Sequence, residues 1–262
     1  MRSAPSSPES LLKKGLKELS LAYTGEQIKA FMTYLSELKK WNKAYNLTSL
    51  RTDEDIVIKH FLDSLLYLKA IPGGGVSLMD VGSGAGFPGI PIKIIRPEIA
   101  MYLVEPSRKK AGFLCHIISV LGLQGIEVIG TRIEEIKSLL VDVAVTRALF
   151  DIKDFCRKAF PLLKEGGRLV VSKGPKVSEE LKAIKGLDHE VLTLPLPHSA
   201  IKRFIVVITR GDQGAGTAGS VHSAMPNDTR SKSGDVCVNA ECRLRKAGCK
   251  GFEGCPGFKS RA

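Results

Sequence analysis

The stretch Leu78-Met79-Asp80-Val81-Gly82-Ser83-Gly84-Ala85-Gly86-Phe87-Pro88-Gly89 constrains the fold of this chain more than any other. An apolar run ends in an acidic residue, passes through closely spaced glycines and meets a proline where the next apolar segment begins. Physically this reads as a buried strand, a tight loop and a helix starting near Pro88. Glycines let backbone approach a ligand closely, the first helical turn presents free N–H groups, and proline is tolerated there. A tight turn without a ligand would need some of these features; strand, loop and helix together favour a nucleotide-type ligand.

Two ligand classes use such a loop. The dinucleotide pattern G-x-G-x-x-G needs a glycine at position 87, where Phe87 stands. The chain has instead Gly82-x-Gly84-x-Gly86, preceded by Asp80. A carboxylate beside the loop suits the ammonium of a methionine moiety, directly or through water, and suits a pyrophosphate poorly. Glu105 ends the next expected strand, where a carboxylate can accept hydrogen bonds from both ribose hydroxyls. Nicotinamide and S-adenosylmethionine sites share that feature, so it supports a nucleoside without choosing between them. Gly130-Thr131-Arg132-Ile133-Glu134 follows a third strand, where backbone and an apolar side chain would clamp an adenine. Val145-Thr146-Arg147-Ala148 ends a fourth. In open α/β sheets such loops converge on one crevice at the carboxyl ends of the strands. Arg147 is then either half of a surface ion pair or a group lining the crevice, and its place at a strand end favours the crevice.

Around this loop the chain alternates strand and helix, which predicts an α/β fold: a Rossmann-like, doubly wound, mostly parallel sheet. Strands are expected at Ser77–Val81, Met101–Glu105, Glu127–Gly130, Asp142–Thr146, Arg168–Ser172 and Phe204–Thr209, with a further one near Glu190–Leu194. Helices fit at Arg108–Leu121 and Ile152–Leu163, and a final antiparallel hairpin strand, Phe204–Thr209, would close the sheet. Before it, residues 9–70 read as an N-terminal helical subdomain. Thr24-Gly25-Glu26-Gln27 fits a capping box. Ile28, Phe31, Met32, Leu35, Leu38, Trp41 and Tyr45 then form one apolar stripe, with Trp41 and Tyr45 read as core, and a further helix is expected from Thr52 to Leu68. Residues 1–8 are expected to be a disordered lead, 71–210 the ligand-binding domain, 211–234 a flexible linker and 235–262 a Cys-rich tail.

The formal net charge of +12, from 39 Lys+Arg against 27 Asp+Glu, favours a polyanionic partner such as nucleic acid over a merely soluble surface. No segment approaches the roughly 18 apolar residues that cross a bilayer, and the start lacks a secretory pattern. The expectation is a cytoplasmic protein with no membrane contact. Of six cysteines, Cys115 and Cys156 sit in apolar helical surroundings. The other four, Cys237-x4-Cys242-x6-Cys249-x5-Cys255, offer soft ligands for zinc or an iron–sulfur cluster, with reduced unliganded thiols as the alternative.

The chain resembles the RsmG family, also called GidB, bacterial methyltransferases of class I fold that act on guanine N7 in 16S ribosomal RNA. The resemblance spans about residues 10–210. It rests on Trp41-Asn42 with Asn46-Leu47-Thr48, His60 with Asp63-Ser64, the loop from Asp80 through Phe87-Pro88-Gly89-Ile90-Pro91 to Lys93, and Glu105 with Lys109-Lys110. Arg132-Ile133-Glu134, Arg147-Ala148 and Lys173-Gly174 complete it. It implies S-adenosyl-L-methionine as cofactor, with contacts at Gly82, Phe87, Ile133, Glu134 and Arg147, and a guanine of the small ribosomal subunit as substrate. Arg147 would lie where cofactor and base meet, and a monomer is expected. The tail after Gly211 departs from the family pattern.

The residues themselves are compatible with an N7 target. Guanine N7 offers an in-plane lone pair without a proton, so transfer needs orientation and tolerance of charge rather than a base. The Asp/Asn-Pro-Pro-aromatic motif of exocyclic-amine enzymes is absent, since Thr146-Arg147-Ala148-Leu149 stands in its place. His60 and Asp63, three apart on a helix, share a face. They either line an RNA entrance or brace the loop, or they form a buried His–Asp bond. Arg108, Lys109 and Lys110 either hold phosphates or are a solvated helix face. A nicotinamide-dependent oxidoreductase, disfavoured by Asp80 and Phe87, and a non-catalytic RNA-binding module are the competing readings.

Overall fold

Seven strands form one sheet in the order β3-β2-β1-β4-β5-β7-β6 in the computed structural model, which describes residues 7–147 and 149–211. They are β1 (Ser77–Val81), β2 (Ala100–Val104), β3 (Ile126–Ile129), β4 (Val141–Arg147), β5 (Leu163–Lys173), β6 (His189–Pro195) and β7 (Lys202–Thr209). β1 to β5 pair in parallel, while β7 runs antiparallel to both β5 and β6. Each strand expected from sequence is present within one or two residues of its expected bounds except β5, which begins five residues earlier, at Leu163, the expected end of the helix from Ile152. β7 does not lie at the edge: it is inserted between β5 and β6. Ile205, Val206, Val207 and Ile208 are all buried, so both faces of β7 need cover and its edges need partners. β6, with Glu190 and a terminal Pro195, is mostly half-buried or exposed and suits the rim.

The pleat divides the core in two. Leu78 on β1 and Val143 and Val145 on β4 face one cluster, which includes Leu12, Phe31 and Phe61 of the N-terminal helices. Met79, Val81 and Ala144 face the other, closed by Ile152, Phe155 and Ala159 of the Ile152–Ala159 helix. The N-terminal helices therefore share a core with the sheet. Burying a side chain such as Phe31 or Phe61, each fully inaccessible, contributes about 1.5–3 kcal/mol.

Helix α1 (Pro8–Glu18) precedes α2 (Gly25–Tyr45). The capping box at Thr24 is complete, with Gln27 N–H donating to Thr24 Oγ1 at 3.2 Å and Thr24 N–H to Gln27 Oε1 at 2.8 Å. Gln27 Nε2 also donates to the Ile94 carbonyl at 2.8 Å, satisfying an orphan acceptor at the end of the Gly89–Ile95 helix. The stripe of α2 differs from expectation at three places: Tyr34 and Asn42 are buried, whereas Tyr45 is 38% exposed and is not core. After α2 a continuous helical run begins at Thr52, whose hydroxyl caps it. It passes from α (Asp53–Ile56) to π (Val57–Leu62), back to α (Asp63–Leu65) and into a 3-10 turn (Leu66–Lys69). Among the described residues no helix is long and apolar enough to cross a membrane.

Candidate S-adenosylmethionine site

The carboxyl ends of β1, β2 and β4 place the Gly82–Gly86 loop, Glu105 and Arg147 on one side of the sheet. Gly82, Gly84 and Gly86 have φ of 74°, 59° and 97°, a region that L side chains rarely adopt. They do different work. A Cβ at Gly86 would strike Ile90 and the Tyr34 hydroxyl, and one at Gly89 would lie 2.4 Å from Leu103 Cδ2. These two permit close packing. A Cβ at Gly82 would meet the side chain of Leu149 at 2.1 Å. At Gly84 only a backbone oxygen, 3.9 Å away, comes near, so there the loop faces open space.

Asp80 is fully buried. Its Oδ2 accepts the Gly89 N–H at 2.8 Å, bracing the start of the Gly89–Ile95 helix, and its Oδ1 has no partner. Burial pushes this carboxyl up to about 7, against the Gly89 hydrogen bond and the Arg147 charge, which pull it down. Glu105 is buried and accepts from Gly84 N–H at 2.8 Å and from Ser107 N–H at 2.9 Å. A carboxylate has about four acceptor positions, so two remain beyond these backbone bonds.

Ile133 begins a short 3-10 turn and is buried, while Glu134 is turned outward to Lys158 Nζ at 2.8 Å. Phe87 is buried, with its ring stacked on His60 at 4.3 Å between centroids and on Tyr34 at 5.3 Å. The guanidinium of Arg147 lies 5.2 Å from the same ring.

Arg147 is not a surface ion-pair residue. One turn of the π segment and its sequel surrounds its guanidinium: Nη1 donates to the Lys59 carbonyl at 3.1 Å, Nη2 donates to His60 Nδ1 at 3.0 Å, and Asp63 Oδ2 lies 3.5 Å from Nη1. His60 and Asp63 share a face as expected, but both turn to Arg147 rather than to each other. An arginine can only donate, so Nδ1 of His60 accepts and its proton sits on Nε2, which donates to Thr48 Oγ1 at 2.7 Å. Thr48 is held in turn by its own N–H, which donates to Asn42 Oδ1 at 2.9 Å. Burial, reinforced by the Arg147 charge, lowers the His60 imidazole to about 3.

Three participants have no clear mark in the sequence. Tyr34 reads as one more apolar residue of α2, yet its hydroxyl donates to the Ala85 carbonyl inside the glycine loop. Tyr67 donates to the Thr146 carbonyl at 2.7 Å and accepts from Ser172 N–H at 3.2 Å, tying β4 to β5 beside Arg147. Arg203, at the start of β7, donates to Asp63 Oδ1 at 2.6 Å, so the buried Asp63 carboxylate serves two arginines. The parity of β7, with Ile205 and Val207 buried against the helices, is the signal that puts Arg203 on that face.

Among the described residues no group of three or more His, Cys, Asp or Glu side chains is arranged to hold a metal. Cys237, Cys242, Cys249 and Cys255, and the expected linker before them, lie outside the described residues.

Residues 27–199 match the GidB family, described as rRNA small subunit methyltransferase G. A protein of Geobacter sp. strain M21 named Ribosomal RNA small subunit methyltransferase G is 39% identical over 214 residues, covering 78% of this chain and 98% of the relative. One of the same name from Neisseria meningitidis serogroup B is 34% identical over 201 residues, covering 76% and 97%. Among solved structures, a methyltransferase from Pyrococcus furiosus superposes with a TM-score of 0.52 at 14% identity, over 69% of this chain and 98% of that one. At that identity the likeness concerns the fold alone.

Proposed function

The chain belongs to the rRNA small subunit methyltransferase G family, and on that premise we propose that it transfers the methyl group of S-adenosyl-L-methionine to N7 of a guanine in 16S ribosomal RNA. The observation that carries the reading is the unpartnered, fully buried Asp80 Oδ1, on the strand that leads directly into the glycine loop. A buried acceptor without a donor is rare and calls for a ligand that supplies one. The ammonium of the methionine moiety is such a donor, and it fits a carboxylate far better than a pyrophosphate would.

S-adenosylmethionine, when bound, supplies an electrophilic methyl group from its sulfonium. The residues divide the remaining work. Asp80 takes the ammonium, and the free acceptor positions of Glu105 take the ribose hydroxyls. Ile133 and the backbone at Glu134 border the adenine. Gly82 and Phe87 contribute backbone, since the Phe87 ring is spent in its stack with His60 and Tyr34. Arg147, catalytic in this reading, presents positive charge and fixed donors where cofactor and base meet. No residue need remove a proton, because N7 carries none, so orientation supplies most of the acceleration.

The substrate is ribosomal RNA, naked or assembled into the small subunit, held by the basic surface that the net charge of +12 implies. The protein acts in the cytoplasm as a monomer, without a membrane partner. The four tail cysteines are a candidate zinc or iron–sulfur site, checked by metal analysis of the purified chain and of a variant with all four replaced by serine.

The test of function is transfer of labelled methyl to 16S RNA and to small subunits from cells lacking this protein. Label on guanine N7 is expected, with an Arg147→Ala variant that binds S-adenosylhomocysteine but transfers at least about a hundredfold more slowly. Label in neither substrate rejects the reading.

A further inference from the structure

We infer that His60 is a positioning residue for Arg147, orienting the guanidinium through a neutral acceptor so that its positive charge stays available to the substrate. The inference rests on the proposed transfer reaction and names a residue that acts through another.

The geometry is specific. Three acceptors from about one turn of one helical run meet Arg147: the Lys59 carbonyl, His60 Nδ1 and Asp63 Oδ2. Only Asp63 is charged, and it is the most distant of the three and closer to Arg203, at 2.6 Å. The two shorter contacts, at 3.1 and 3.0 Å, are neutral. A dedicated carboxylate at that distance would fix the guanidinium equally well but cancel its charge. A carbonyl and an uncharged imidazole fix it and leave the charge in place, which suits a group facing an electron-rich base and the phosphates around it.

The imidazole is itself fixed on three sides. Thr48 Oγ1 takes the Nε2 proton at 2.7 Å, Arg147 occupies Nδ1, and the Phe87 ring lies against one face at 17° between planes. Its tautomer and its plane are thereby set, as an orienting group requires. Burial and the Arg147 charge keep it uncharged through the neutral range. The Phe87 contact also places His60 against the glycine loop, so the loop and the arginine share one rigid partner.

Three variants separate this role from simple packing. His60→Leu fills the space without an acceptor; kcat is expected to fall by about tenfold to a hundredfold, with KM for S-adenosylmethionine within about threefold of wild type. His60→Asn restores an acceptor near the Nδ1 position and should recover most of the lost kcat. His60→Asp offers an acceptor with charge; it should bind S-adenosylhomocysteine normally yet transfer as poorly as His60→Leu. Nitrogen NMR of the folded wild type adds a readout independent of activity, with Nε2 protonated and Nδ1 bare through pH 6–8. A proton on Nδ1, or His60→Asn no better than His60→Leu while both remain folded, overturns the inference. Absence of transfer by the wild type overturns the proposed function instead, and the NMR result still decides the geometry.

Discussion

Asp80 Oδ2 accepts the Gly89 N–H at 2.8 Å while Oδ1 of the same carboxylate, equally buried, accepts nothing. One oxygen is structural, and the proposed function assigns the other to the ligand. Because burial raises the carboxyl to about 7, the folded protein keeps a proton that the unfolded chain loses near pH 4. The sign follows: Asp80 favours folding most below the ordinary carboxylate range, and this contribution is lost as pH rises towards about 7. A bound ammonium at Oδ1 reverses the preference and draws the group into its charged form. Binding of S-adenosylhomocysteine at pH 7 is therefore expected to release about half a proton. Calorimetry in two buffers of different ionisation enthalpy measures it. Asp80→Asn, which keeps an acceptor for Gly89, should bind more weakly and release none. Buffer-independent heats in the wild type would remove Asp80 from the ligand site.

Gly84 and Gly89 are expected to fail differently when changed to alanine. At Gly84 the added methyl meets nothing closer than 3.9 Å, but φ of 59° strains it by about 1 kcal/mol and the methyl would enter the space that the proposed function gives to the ligand. The variant should fold, with a small loss in melting temperature and a large loss of S-adenosylhomocysteine affinity. At Gly89 the methyl falls 2.4 Å from Leu103 Cδ2 and 2.8 Å from Asp80 Oδ2. That overpacking is expected to cost about 1–3 kcal/mol. Urea titration beside ligand calorimetry distinguishes them, and equal effects of the two variants on both measurements would contradict the division of labour among these glycines.

Asp142 supplies a pH-dependent tie at the opposite ends of β1 and β4. Its Oδ2 accepts the Ser77 N–H at 2.8 Å, and both oxygens lie 2.9 Å from Lys164 Nζ. Partial burial alone would raise this carboxyl, but the Ser77 bonds and the Lys164 charge outweigh it and hold it at about 2. Stability from this group is present above the ordinary range and is lost as pH falls through about 2. The side chain is 35% exposed, so screening reduces the effect to about 1 kcal/mol. Asp142→Asn should lower the urea midpoint at pH 6, with the difference from wild type shrinking by pH 2.5. A constant difference would assign the effect to shape rather than charge.

Much of this was legible from residues alone, for identifiable reasons. β1 and β4 are interior strands, and strands buried on both faces read as apolar runs; β1 was legible to its last residue for that reason, whereas the exposed, charged first half of β5 was not. Thr24 and Gln27 declared the start of α2 because a capping box is a local device. What failed was non-local. The insertion of β7 between β5 and β6 depends on what covers each face, which no window of sequence contains. Tyr34 and Tyr67 look like core aromatics until the fold brings Ala85 and Thr146 to their hydroxyls. Helical spacing put His60 and Asp63 on one face, but could not show that Arg147 stands between their partners, nor that Arg203 arrives from the last strand.

Tyr67 offers a last test, because its hydroxyl is a single atom joining two strands next to Arg147. Tyr67→Phe keeps the ring's packing and removes only the oxygen. The Thr146 carbonyl then loses a 2.7 Å donor and the Ser172 N–H loses a 3.2 Å acceptor, both in a buried setting without water access. Leaving buried backbone groups unsatisfied costs about 1–3 kcal/mol, which should appear as a lower urea midpoint with an unchanged slope. Thr146 also donates its hydroxyl to the Val81 carbonyl at 2.9 Å, so the peptide preceding Arg147 is anchored from two sides and Tyr67→Phe removes one. A fall in kcat larger than any change in S-adenosylhomocysteine affinity is therefore expected, since the loosened peptide leads into Arg147, to which the proposed function gives the transfer step. If stability and kcat both matched wild type, the Thr146 peptide would owe its position to the β4 pairing alone, and the hydroxyl would be incidental.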